Sequence, residues 1–270
     1  MTASYQGPLD RLMKLGAEPA RRRVWPDYRH LGLTERHVPG LIQIATAPEL
    51  HAEERVDRAS WAPIHAWRAL AQLEATTAVA QLLALLEREW ESTWVYDEVP
   101  AVLGMIGPAA LTGATLLLFD ETRAEPVRIA AGRVLVEVAH EYPERHDEAV
   151  AILAKQLEDW PHQGVTLNAT LVAYLAELGA KEAAPVMEAA FAAGKVDPYV
   201  TGDWEDVQID LGLLDRRITP PTPWSPIDDG EADEPPLTGR VAPAGAHGAA
   251  KARSRRKAQK QARKRNRRKK

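Results

Sequence analysis

The sequence contains no cysteine. That absence excludes disulfides, thiolate metal sites and cysteine nucleophiles, and it suits a reducing compartment, so a cytoplasmic location is expected. No apolar run approaches the ~20 residues that span a bilayer. The stretch around Leu116 to Phe119 is far shorter, and the N-terminus MTASYQGPLDRLMKLG lacks the apolar core of a signal peptide. Phenylalanine is scarce, at 2 residues against 8 tryptophans; Ala and Leu supply most of the 45% apolar content, and both favour helix.

Several chemical signatures are also missing. Neither G-x-x-x-x-G-K-[ST] nor G-x-G-x-x-G occurs, and no serine sits in a G-x-S-x-G elbow. His140-Glu141 with His146 resembles a zinc motif only superficially. A helical zinc pair needs its histidines four apart, whereas these are six apart with Pro143 between them. His51, Glu53 and Glu54 read as a charged loop. No metal, cofactor or catalytic residue is assigned, and the sequence points to binding rather than catalysis.

What is present is a repeating pattern. Leu70-Ala71-Gln72-Leu73, Leu103-Gly104-Met105-Ile106, Leu135-Val136-Glu137-Val138 and Leu175-Ala176-Glu177-Leu178 recur at offsets of 33, 32 and 40 residues. Each ends one helical stretch and precedes another. The pairs are SWAPIHAWRALAQL with TTAVAQLLALLERE, TWVYDEVPAVLGMIG with PAALTGATLLLFD, PVRIAAGRVLVEVAHE with RHDEAVAILAKQLEDW, and GVTLNATLVAYLAELG with KEAAPVMEAAFAAG. The second helices show the 3.6-residue period. Val79, Leu82, Leu83 and Leu86 fall on one stripe, as do Ala149, Ile152, Leu153 and Leu157. Ser60 and Thr93 are candidate helix caps, and Gly107-Pro108 and Gly179-Ala180 suit the turns between paired helices.

The L-x-x-L/I/V ending, the short turn and the small-residue A-x-x-L-L helix resemble HEAT repeats. At this spacing they are most similar to the short PBS-lyase HEAT-like subtype, over residues 60–193. The resemblance implies an all-α solenoid of stacked antiparallel helix pairs, an armadillo-type fold whose usual work is protein binding. Some members of that subtype attach or detach bilin chromophores. The resemblance therefore also admits a bilin-lyase-like enzyme or enzyme accessory.

The expected layout is capping helices over 1–59, four repeats over 60–193, a cap over 194–217, a Pro-rich disordered linker over 218–250 and a basic tail over 251–270. Within the first segment a helix around 8–15 and another over 34–46 are joined by RRRVWPDYRHLGL; in the C-terminal cap a short helix starts near Asp203.

The tail holds 13 of the 34 Lys and Arg residues and no Asp or Glu, leaving 21 basic against 38 acidic residues in 1–250. The body is therefore near −17 and the tail near +13. The tail cations are Lys251, Arg253, Arg255, Arg256, Lys257, Lys260, Arg263, Lys264, Arg265, Arg267, Arg268, Lys269 and Lys270. Their expected partner is RNA, DNA or another polyanion, with a protein, the chain's own acidic body and an anionic membrane surface as alternatives. The tail has no aromatic residue, so base stacking is not expected.

Tryptophan beside charge marks candidate partner-binding positions. Trp90, Trp94, Asp97 and Glu98 cluster where the first and second repeats meet, and Trp204, Glu205 and Asp206 follow the fourth. The competing expectation is structural, with Trp filling gaps between stacked hairpins; it is the favoured one for Trp61 and Trp67.

Overall fold

The computed structural model describes residues 5–17, 25–51 and 58–220, and all regular structure among them is helical. Among the described residues no single helix is long and apolar enough to cross a membrane. The residues fall into two compact units, one ending at Ala149 and the other beginning at Val150.

The N-terminal unit contains α1 (Pro8–Met13), α2 (Val38–Thr46), α3 (Pro48–His51), α4 (Ala62–Gln72), α5 (Val79–Arg88), α6 (Thr93–Ile106), α7 (Leu111–Phe119) and α8 (Glu125–Glu141). The division between the units falls inside α9 (His146–Leu157). The C-terminal unit continues with α10 (Val165–Leu178), α11 (Ala184–Ala192), α12 (Pro198–Thr201) and α13 (Trp204–Leu211).

Each of the eight stretches read as paired helices carries a helix. The second member of every pair enters in the same way, through a three-residue 3₁₀ turn at Thr76–Ala78, Pro108–Ala110, Pro143–Arg145 or Lys181–Ala183. A 3₁₀ turn tightens the chain so that a helix can begin at once after a reversal. The stripe Val79, Leu82, Leu83 and Leu86 is buried, while Ala80, Gln81 and Ala84 face solvent, as the 3.6-residue period requires. Each such leucine withdrawn from water contributes roughly 1.5–3 kcal/mol before the cost of ordering it.

The first members of the pairs lie deeper. Every residue of α4 from Ala62 to Ala71 is buried, because this helix packs against α2 and α6 and is also touched by α1 and α3. Helix α8 packs on α6 and α7. The contact between α6 and α8 is closest at Gly104, where a Cβ would stand 2.3 Å from Glu137 Cβ and 2.9 Å from the Glu137 carbonyl carbon. Only glycine leaves room for that approach. Glu137, 2% exposed, is met there by Arg133, whose Nε and Nη2 donate to its Oε1 at 2.9 and 2.7 Å.

Three local readings change. Ser60 lies inside a 3₁₀ turn (Arg58–Trp61), and Thr93 is the first residue of α6 rather than its cap, a place taken by Ser92. Neither α4 nor α6 has a side-chain cap bond. Of the segment joining the first two helices, residues 25–33 are described, and Tyr28 within it belongs to the core: it is 1% exposed and donates its hydroxyl to His65 Nδ1 at 2.7 Å. Its backbone N–H reaches Gln72 Oε1 at 2.9 Å, and Gln72 Nε2 donates to Pro26 O at 2.8 Å. His51 belongs to α3, where it stacks on Trp67 and shares the Ala45 carbonyl with the Trp67 indole. Burial, partly offset by the Ala45 carbonyl, lowers its pKa.

Candidate interaction site

A groove of about 500 Å³ opens where three helices of the N-terminal unit end. It is lined by Gln72 at the end of α4, Met105 in the last turn of α6 and Glu141 at the end of α8, together with Asp27, Arg29, Ala71, Glu74 and Tyr142. A helix C-terminus is the negative end of the helix dipole. Three such ends and three carboxylates, Asp27, Glu74 and Glu141, therefore share one rim. Arg29 is the single cation in the lining, and its Nη2 is committed to Gln72 O at 2.5 Å. Tyr142 donates its hydroxyl to Met105 O at 3.1 Å. Burial and then Glu74, Glu141 and Glu144 push the Tyr142 phenol upward, because a phenolate there would be desolvated and would face carboxylates.

Glu74 occupies an unusual conformation. Its φ of +50° is the only positive value for a non-glycine among the described residues. The turn after α10 has the same hydrogen-bond scheme with glycine in that place. Glu74 N reaches Ala71 O and Ala75 N reaches Leu70 O at 3.0 Å; Gly179 N reaches Ala176 O at 3.1 Å and Ala180 N reaches Leu175 O at 3.0 Å. A left-handed residue after a helix is ordinarily glycine because a Cβ crowds the backbone there. Glu74 takes this conformation with a full side chain, at that cost.

The tryptophan-rich candidates are spread over separate surroundings. Trp94 meets Trp61 edge-on with ring centroids 5.2 Å apart, so this pair packs on itself. Trp90 is half-buried and Asp97 is exposed. The Glu98 carboxylate is paired with Arg68, with Nε–Oε2 at 3.1 Å and Nη2–Oε1 at 2.5 Å. Arg68 is only 1% exposed, and the Trp25 ring lies over its guanidinium at 5.4 Å. Burial by itself would lower the Arg68 pKa, but the Glu98 carboxylate outweighs it and holds the guanidinium more firmly charged.

In the C-terminal unit Asp203 caps α13 by accepting from Asp206 N at 3.2 Å, and Glu205 and Asp206 occupy the first turn. Trp204 tilts against Phe191 with centroids 5.6 Å apart. Arg217 joins all three carboxylates: its Nη1 and Nη2 fork onto Asp203 at 2.8 and 2.5 Å, Nη1 lies 3.1 Å from Asp206 Oδ1, and Nε lies 3.8 Å from Glu205 Oε2. Hydrogen bonds from Arg217 to Asp203 and from the Thr219 backbone to Glu205 hold both carboxyls below the usual carboxylate range. A depressed folded-state pKa means that the contact supports the fold above the ordinary carboxylate pKa. The support is lost as pH falls through the lowered values.

The 13 tail cations, from Lys251 to Lys270, lie outside the described residues, as does the linker beyond Pro220. Among the described residues no group of three His, Asp or Glu side chains is placed to hold a metal ion. Asp27 and Glu74 were not singled out by sequence reasoning, and Glu141 only within a rejected zinc-like pattern, since the three lie far apart in the chain. The available signal was Glu74 itself, a charged residue directly after L-A-Q-L where the other pairs tend to place glycine. No family model matches the chain, and no curated protein or solved structure matches it.

Proposed function

We propose that this chain is a non-enzymatic binding scaffold. In this reading the four helix pairs form a HEAT-like array, the groove at the ends of α4, α6 and α8 receives a basic segment of a protein partner, and the tail contacts nucleic acid or another polyanion. The observation that carries it is the convergence of three helix C-termini with Asp27, Glu74 and Glu141 on one open rim. The recurring 3₁₀ entry of each second helix supports the repeat reading.

The groove is tested with Glu74→Gly, which removes the carboxylate and the crowded left-handed conformation together. Stability measured by urea unfolding should rise by about 1 kcal/mol, while binding of a decalysine probe should weaken several-fold at low salt. A variant that gains stability and binds decalysine like the parent would remove the groove from the functional account.

The tail is tested by salt titration of duplex DNA binding, comparing the full chain with one ending at Ala250. If about six cations meet phosphates at once, log K against log salt should slope near −5, with binding around micromolar or weaker at physiological salt. Equal affinity of the two chains, or binding indifferent to salt, would move the nucleic-acid contact elsewhere.

A further inference from the structure

We propose that Asp203, Glu205 and Asp206 form a receptor for an arginine-bearing segment and that Arg217 occupies it in cis, so that a basic partner segment binds there only by displacing the chain's own strap. This rests on reading the Trp204–Asp206 region as a partner-binding surface and adds to it a ligand class and a built-in competitor.

Acidic residues in the first turn of a helix need no ligand to explain them, because they complement the helix dipole. What the helix does not require is their convergence on one guanidinium. Arg217 presents a planar fork to Asp203, and a lysine would supply only a point charge. The two backbone N–H groups that follow also bind: Ile218 N and Thr219 N donate to Glu205 Oε2 at 3.0 and 3.1 Å. The site therefore reads an arginine together with the backbone of the next two residues. Its geometry is maintained by Gly202, whose φ is +87° and where a Cβ would stand 2.3 Å from Asp206 Oδ2.

Beyond the half-buried Leu214, the strap is held by polar contacts. The Ile218 side chain stands in solvent at 79% exposure, and Arg217 and the three carboxylates keep 17–28% of their side-chain surface accessible. Polar contacts that reach water are exchangeable, since a competing arginine can replace them group for group.

The test uses the full chain and a fluorescein-labelled peptide with the sequence of residues 214–220, LDRRITP. In the parent the tethered strap competes at an effective concentration on the order of millimolar, so the peptide should bind weakly. In Arg217→Ala the receptor is vacant, and the peptide should bind about ten-fold tighter or more. Asp203→Asn, Glu205→Gln and Asp206→Asn added to Arg217→Ala should abolish that gain; asparagine still caps a helix, so α13 is retained. Arg217→Lys should fall between parent and Arg217→Ala, because the charge remains and the fork is lost. Equal peptide affinity for parent and Arg217→Ala, or tight binding that survives the carboxamide substitutions, overturns the proposal. DNA binding by the tail is scored separately, so failure here is distinguishable from failure of the scaffold reading.

Discussion

Leu135→Asp is expected to destabilise the N-terminal unit by roughly 3 kcal/mol or more. Leu135 is fully buried in α8, and Val134, Val136 and Val138 beside it are equally inaccessible. Removing the leucine forfeits its transfer free energy and the contacts of its methyl groups. The aspartate adds a carboxyl group at a position with no access to water. The new group will hold its proton rather than ionise, which lessens the cost without removing it. Because domains are stable by only about 5–15 kcal/mol, the loss is a large fraction of the total. Urea unfolding followed by circular dichroism measures it. A midpoint equal to that of the parent would mean that position 135 does not face the core.

Glu98→Ala should cost a comparable amount, roughly 3–5 kcal/mol, for a different reason. The substitution removes little apolar surface but strands the Arg68 guanidinium in the interior. Arginine cannot escape by losing its proton, so the whole penalty falls on stability. The pair with Glu98 is the largest favourable interaction offsetting burial of the Arg68 charge, ahead of Tyr28. Replacing both members, as Arg68→Met with Glu98→Leu, should be far milder, within about 1–2 kcal/mol of the parent, because no ion is then left uncompensated. The double-mutant cycle gives the coupling directly. A partner-contact role for Glu98 would lead to lost binding with unchanged melting. Glu98→Ala melting within about 1 kcal/mol of the parent would show that the ion pair does not govern this site.

These expectations separate two kinds of legibility. The helices were readable because their causes are local. A stripe such as Val79, Leu82, Leu83 and Leu86 reports its own period, and Gly107 and Gly179 stand where their turns have positive φ. The helix start near Asp203 was readable for the same reason, as a capping aspartate acts within its own first turn. The segment around Tyr28 was not, because nothing in W-P-D-Y shows that its tyrosine will reach a histidine 37 positions later.

What neighbours in the chain and composition make readable is the succession of helices, the short turns between them, and the contrast of an acidic body with a basic end. Which charges are already used depends on packing between elements distant in the chain. Glu98 reads as a surface carboxylate until α4 and α6 pack and set it on Arg68, 30 residues away. Glu205 reads as an open contact until the chain returns with Arg217 and Thr219. Asp27, Glu74 and Glu141 become one site only because three helices end together. The physical reason is the same throughout: backbone preference and periodicity act over a few residues, whereas the state of a charge depends on what packing brings within a few ångströms of it.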